Sequence, residues 1–196
     1  MKVLYFIRHG ATAGNLERRY IGRTDEPLSS EGREQIAALQ NAGLYADKIF
    51  SSPMLRTRQT AKQIFPNKDV QLVDDFRETD FGAFEGKTAD ELSDDPRYQV
   101  WLDTFCRGPI PDGEQTTDFK RRCCDAFSRC MDELPNGKCG AFVVHGGVIM
   151  AILEHFARPQ RDFYDYHIPN GGMIAGSWND GVITVLDRQG IMGAAF

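Results

Sequence analysis

The chain has 196 residues, 41% of them hydrophobic and 26% charged, and carries a net charge of −5. That length suits one domain able to bury about 70% of its unfolded surface. The acidic balance excludes a broad nucleic-acid footprint, which needs a basic face, so any anion site has to be a local basic pocket. Met1-Lys2 runs straight into an apolar strand and no apolar run is long enough for a bilayer, so neither a leader nor a membrane partner is expected. Five cysteines (Cys106, Cys123, Cys124, Cys130 and Cys139) contain no Cys-x-x-Cys pair. They read as reduced thiols of a cytoplasmic protein, with no metal role.

Val3 to Ile7 is a short apolar run closed by Arg8-His9-Gly10, the pattern of a buried strand feeding a turn. Gly22 to Leu28 is polar and turn-rich, a loop. Ser29 has the character of an N-cap, with Glu31 in the first turn of a helix ending near Gly43. Asp47 to Ser51 is a second strand. Ser52-Pro53 then predicts a capped helix through Phe65, with proline at its first position. Val70 to Val73 is a third strand, followed by an irregular stretch from Arg77 to Gly86.

Thr88 to about Phe105 reads as helical with an interruption at Asp95-Pro96, its apolar side formed by Tyr98, Trp101, Leu102 and Phe105. After a loop at 109–114, Phe119, Cys123, Ala126, Phe127, Cys130 and Leu134 recur at helical spacing up to Pro135-Asn136-Gly137. Ala141 to Val144 is a strand stopped by His145-Gly146-Gly147, and Val148 to Phe156 is a helix. Met173 to Trp178 and Val182 to Leu186 form a hairpin across Asn179-Asp180-Gly181. Strands alternating with helices predict an α/β fold: three layers, a mostly parallel central sheet and a small helical lid at about 87–135. The whole chain, 1–196, reads as a single domain.

In such a fold chemistry sits beyond the carboxyl ends of the strands. Arg8, His9, Arg56, Glu78 and His145 all fall at such ends, a set suited to phosphoryl transfer. A lone arginine is usually a solvated surface residue and a lone histidine usually structural; five at equivalent positions weaken that alternative. Four blocks carry a resemblance across nearly the whole chain: Arg8-His9-Gly10-Ala11-Thr12 with Asn15, Ser51 to Ala61, Glu78 to Gly86, and Val144 to Gly147. They resemble the histidine phosphatase superfamily, the phosphoglycerate mutase-like enzymes.

The resemblance implies that His9 is the nucleophile that becomes phosphorylated. Arg8, Arg56 and His145 would bind the phosphoryl oxygens, and Glu78 would donate the proton, with Asp80 and Glu85 as nearby rivals. Asn15 and the backbone at Gly22 would add phosphate contacts, and no metal or cofactor is implied. Arg23, Arg107, Arg121 and Arg122 read as solvated, although Arg23 could reach the substrate and the other three could select an anionic one. His155 reads as a surface residue, and His167 receives no role.

Three functions compete: a phosphomonoesterase, a cofactor-dependent phosphoglycerate mutase, and an inactive phospho-ligand-binding member. The compact segment between Gly86 and His145, with Pro96-x-Tyr98-x-x-Trp101 and Pro111-x-Gly113-Glu114, is similar to the phosphatase branch, including α-ribazole phosphatases and broad-specificity relatives. Gln115 departs from a common serine, which bears on substrate identity. The expected partner is a small phosphorylated metabolite such as α-ribazole phosphate, with a homodimer as an open option.

Overall fold

A computed structural model describes residues 1–189; positions 190–196 of the expected single domain lie outside the described residues. Strands β1 (Lys2–Arg8), β2 (Lys48–Ser51), β3 (Val70–Leu72), β4 (Cys139–Val144), β5 (Met173–Asn179) and β6 (Val182–Gln189) form one sheet in the order β3-β2-β4-β1-β5-β6. The pairs β3-β2, β2-β4 and β4-β1 are parallel, while β1-β5 and β5-β6 are antiparallel. The mostly parallel α/β sheet expected from the sequence is therefore present. Its hairpin turns at Asp180-Gly181, both with positive φ, as an Asp-Gly turn requires.

Helices α1 (Ala13–Leu16), α2 (Ser30–Asn41), α3 (Leu55–Ile64), α4 (Pro96–Asp103), α5 (Thr116–Glu133) and α6 (Gly146–Phe156) complete the layers. Alternation along β1 sends Leu4 and Phe6 to the α5/α6 face and Ile7 to the α2/α3 face. The first face is aromatic: Phe142 lies within 5.1–6.0 Å, centroid to centroid, of Phe6, Phe50, Phe76 and Phe127. Burying each such ring contributes about 1.5–3 kcal/mol. A smaller cluster of Phe84, Leu92, Tyr98, Trp101 and Ile110 forms the core of the segment above the sheet end.

Three local expectations change. Ser29 caps α2 through Gly32 N, as predicted, but Ser52-Pro53 does not open α3, which starts at Leu55 without a side-chain cap. Residues 88–94 form turns, and the helix begins only at Pro96, where Asp95 accepts from Arg97 N as N-cap. The Glu91 carboxylate instead accepts from Thr88 N and pairs with Arg19, which holds that stretch in a turn. Tyr98 and Trp101 are buried as expected, whereas Leu102 and Phe105 are exposed, Phe105 by 78%. Phe105 and Cys106 both have positive φ, so the chain leaves the helical path there and its apolar face ends.

Candidate active site

β1 ends beside α6 and the loop before β5, so the residues after it are held on several sides. Position 10 admits only glycine, because a Cβ there would sit 2.2 Å from the Gly32 carbonyl oxygen. His9 is buried at 4% exposure. Its backbone N–H donates to Val144 O (3.1 Å), and its ring Nδ1 to Gly10 O (2.7 Å). This hydrogen bond assigns the proton to Nδ1 and leaves Nε2 with a lone pair. Burial, then the Arg56 and Arg8 charges, hold its pKa well below the usual 6.5, so the ring is neutral at pH 7.

Arg56, in the first turn of α3, is fully buried. Nη1 donates to Thr24 O (2.8 Å), Nη2 to Gly22 O (2.9 Å), and Nε to His145 Nδ1 (3.3 Å). One N–H on each terminal nitrogen remains for a ligand. His145, capping α6, passes the chain on: its Nε2–H donates to Ser52 Oγ (2.8 Å). The His9 and His145 rings meet edge to face with centroids 5.1 Å apart. Burial and Arg56 also hold the His145 pKa well below 6.5. Ser52 thus orients a histidine instead of capping a helix.

Arg8 directs Nη1 backwards, onto Ile168 O at 2.7 Å and His167 Nε2 at 3.3 Å. Its Nε is buried and has no partner among the described residues. The two N–H groups of the Nε/Nη2 edge are the pair that binds an oxyanion in a bidentate fork. Glu78 stands across from it, accepting from Thr79 N (3.0 Å) and from Gly147 N (3.1 Å) in the first turn of α6.

The two rival carboxylates are otherwise engaged. Asp80 accepts from Gly82 N and pairs with Arg23 at 2.9 Å. Glu85 accepts from Gly22 N (2.9 Å), Thr24 N (3.0 Å) and Thr24 Oγ1 (2.8 Å). The Gly22 amide is therefore not free for a phosphate as expected, and the Gly22 carbonyl serves Arg56. Asn15 forms a capping box with Thr12 and accepts from Asn170 Nδ2, which leaves its own amide N–H groups as donors.

Arg122 is not a solvated residue. It donates to Asp75 O, Arg77 O and Glu78 O at 2.6–3.1 Å and pairs with Glu114 at 2.7 Å, so it clamps the Glu78 loop to α5. His167, given no role by the sequence pattern, lies against Arg8. The signal was absent locally because its partner is at the far end of the chain. His155 is exposed, as expected. Arg107 pairs with Asp162 and Arg121 with Asp118.

A cleft of about 330 Å³ adjoins the site along Arg8, Glu78, Gly146 and Gly147, with His9, Arg56 and His145 buried outside its lining. Arg8, Glu78 and His167 are its ionisable groups apart from Cys106 and two tyrosines, and its walls include Tyr20, Phe81, Trp101, Ile110, Phe119 and Phe163. Among the described residues no helix is long and apolar enough to cross a membrane.

A model of the histidine phosphatase superfamily (branch 1) matches residues 4–189. The chain is 34% identical over 164 residues to "Probable phosphoglycerate mutase GpmB" of Yersinia pestis (strain Pestoides F), covering 79% of this chain and 74% of that one. The crystal structure of a phosphoglycerate mutase from Thermus thermophilus superposes with a TM-score of 0.73 at 34% identity, over 95% and 97% of the two chains. A putative alpha-ribazole-5'-P phosphatase from Escherichia coli K-12 superposes with a TM-score of 0.86 over 99% of both chains. Its 22% identity speaks for the fold alone.

Proposed function

The chain belongs to the histidine phosphatase superfamily, branch 1, and from that premise we propose that it is a metal-independent phosphomonoesterase working through a phosphohistidine on His9. A neutral imidazole kept unprotonated at Nε2 is a nucleophile at pH 7. In the first step the Nε2 lone pair forms a bond to phosphorus while the ester P–O bond breaks. The leaving oxygen takes its proton from Glu78. In the second, water attacks phosphorus, gives a proton to Glu78, and the P–N bond breaks to release phosphate.

Charge on the equatorial oxygens meets the Nε/Nη2 edge of Arg8, the remaining N–H groups of Arg56 and the Asn15 amide. His145 does not join them as expected: its two ring nitrogens are taken by Arg56 and Ser52, so it orients Arg56 instead. These donors are fixed before reaction, which is what makes such contacts effective. Two guanidinium groups at the centre repel a divalent cation, and this supports chemistry without one. Glu78 is the carboxylate for the proton because Asp80 and Glu85 are bound elsewhere.

The observation that carries phosphatase over mutase is the cleft wall. A phosphoglycerate presents a carboxylate besides the transferred group, and a buried anion without a partner is costly. Here the walls are aromatic and aliphatic, and the nearby arginines 23, 107, 121 and 122 are paired with carboxylates. The substrate is accordingly a small phosphomonoester whose alcohol carries an aromatic or apolar part, a class that includes α-ribazole phosphate. Residues 87–115 act as its lid; the remainder of the expected 87–135 segment is α5, whose Phe119, Phe127 and Cys130 pack on the sheet in the main core.

Acid quench with a labelled phosphomonoester should trap an acid-labile, alkali-stable adduct that is lost in His9→Ala and insensitive to chelators. An adduct on serine or aspartate would overturn the assignment, as would activity that zinc or magnesium restores after chelation. Phosphate release should exceed phosphoglycerate isomerisation even with a bisphosphoglycerate primer, and the reverse result would favour the mutase. No phosphoenzyme from any phosphomonoester would leave the inactive binding member as the reading.

A further inference from the structure

We propose that His167 is a positioning residue for Arg8: it holds Nη1 from behind, so that the Nε/Nη2 edge of the guanidinium faces the transferred phosphoryl group. The inference rests on the phosphoryl-binding reading of the site.

Two anchors set the ring of His167 although the residue itself is exposed. Tyr166 and Ile168 on either side are 1% and 4% exposed, and the His167 backbone N–H donates to Tyr164 O. The loop is also stitched to the end of β1. Gly171 N donates to the carbonyls of Arg8 and His9, and Asn170 Nδ2 donates to His9 O at 3.2 Å. An arginine on one rigid strand end therefore meets a histidine on a loop fastened to that same end.

The chemistry favours a neutral acceptor at this place. Nη1 already donates to Ile168 O, and a second acceptor at 3.3 Å fixes the rotation of the guanidinium plane. Partial burial and the Arg8 charge lower the pKa of His167, which keeps Nε2 available as an acceptor. A carboxylate in its place would neutralise Arg8 and compete with a bound anion. A neutral ring orients the cation and leaves its charge to the substrate.

The test is binding of tungstate, a tetrahedral oxyanion, by calorimetry, with nitrophenyl phosphate kinetics alongside. Losing one modest hydrogen bond should weaken tungstate about threefold to tenfold in His167→Ala and raise KM more than it lowers kcat. His167→Gln, which restores a neutral acceptor, should recover affinity to within about twofold, and His167→Asp should bind worst. In an Arg8→Ala background, removing His167 should have no further effect. Unchanged affinity in His167→Ala, or a loss of equal size without Arg8, would overturn the proposal; the second outcome would mean that His167 touches the anion itself. Unchanged affinity in Arg8→Ala would instead overturn the phosphoryl site, and the proposal with it.

Discussion

Replacing Gly147 by alanine should separate catalysis from stability. A Cβ at this position would lie 2.3 Å from Glu78 Oε1, 3.2 Å from its Cδ and 3.1 Å from Phe119 Cζ. Carbon–oxygen contacts settle near roughly 3.3 Å, so the carboxylate has to retreat by about 1 Å. A misplacement of that size in a reacting group costs about 10²-fold in rate. The fold should scarcely notice, because the group that moves is the far end of a side chain. α6 gains up to about 1 kcal/mol from alanine over glycine, while the bond from Gly147 N to Glu78 loses about as much. The net change stays within about 1 kcal/mol, or roughly 2–4 °C in Tm. Turnover of an alkyl phosphate, whose alkoxide needs a proton, should fall about 100-fold. The first-turnover release of nitrophenolate, which needs none, should keep its rate. Alkyl turnover within twofold of the parent would refute the placement of Glu78 as acid. Equal slowing of both first steps would mean that the methyl group disturbs phosphoryl binding instead.

Glu78→Gln should show a nitrophenolate burst near one per enzyme followed by a slow phase, while alkyl phosphate turnover drops about 10²–10⁴-fold with no burst. Arg122→Ala should cost about 3 kcal/mol in urea melts, since it strips a half-buried carboxylate and three carbonyls of their donor; a loss below about 1 kcal/mol would deny it the clamp. Acidification should destabilise the fold through His9 and His145, whose folded pKa values lie well below the unfolded 6.5. Below pH 6.5 the unfolded chain takes up protons that the folded chain refuses. The stability present above that pH is thus lost as pH falls, by up to about 2.7 kcal/mol per unit for the pair. Urea melts from pH 7 to 5 should show His9→Asn with the shallower slope, and identical slopes would refute the assignment.

β1, β4 and β5 were legible because each is built on an apolar run, and the Asp180-Gly181 hairpin because its backbone demands that dipeptide. His9, Arg8, Arg56, Glu78 and His145 were legible because they stand at strand and helix ends that one architecture gathers. What escaped is what depends on partners remote in sequence. Ser52 has a cap residue's chemistry, yet its hydroxyl meets a histidine from β4's end. Glu85 and Asp80 match Glu78 in type, and only the fold places the Gly22–Thr24 amides and Arg23 against them. Arg122 sits beside Arg121 on one helix, but only one of the two turns inward. His167 had no neighbour to mark it.

The position of β1 in the sheet has a consequence for how the molecule is made. Its neighbours are β4, entered at Val3↔Cys139, and β5, entered at Lys2↔Trp178. β1 therefore has no sheet partner among the described residues until β4 and β5 have been made, and closing such long loops is slow. Until then Lys2–Arg8 is an apolar segment with two unpaired edges, the kind of surface on which nascent chains aggregate. His9, the proposed nucleophile, follows directly on that strand. Arg8 and His9 are made well before residues 144–171, yet gain their orienting contacts only when those residues fold against them. A growing chain thus carries this histidine in a solvated, unaligned state, and its geometry arrives with the later strand pairings.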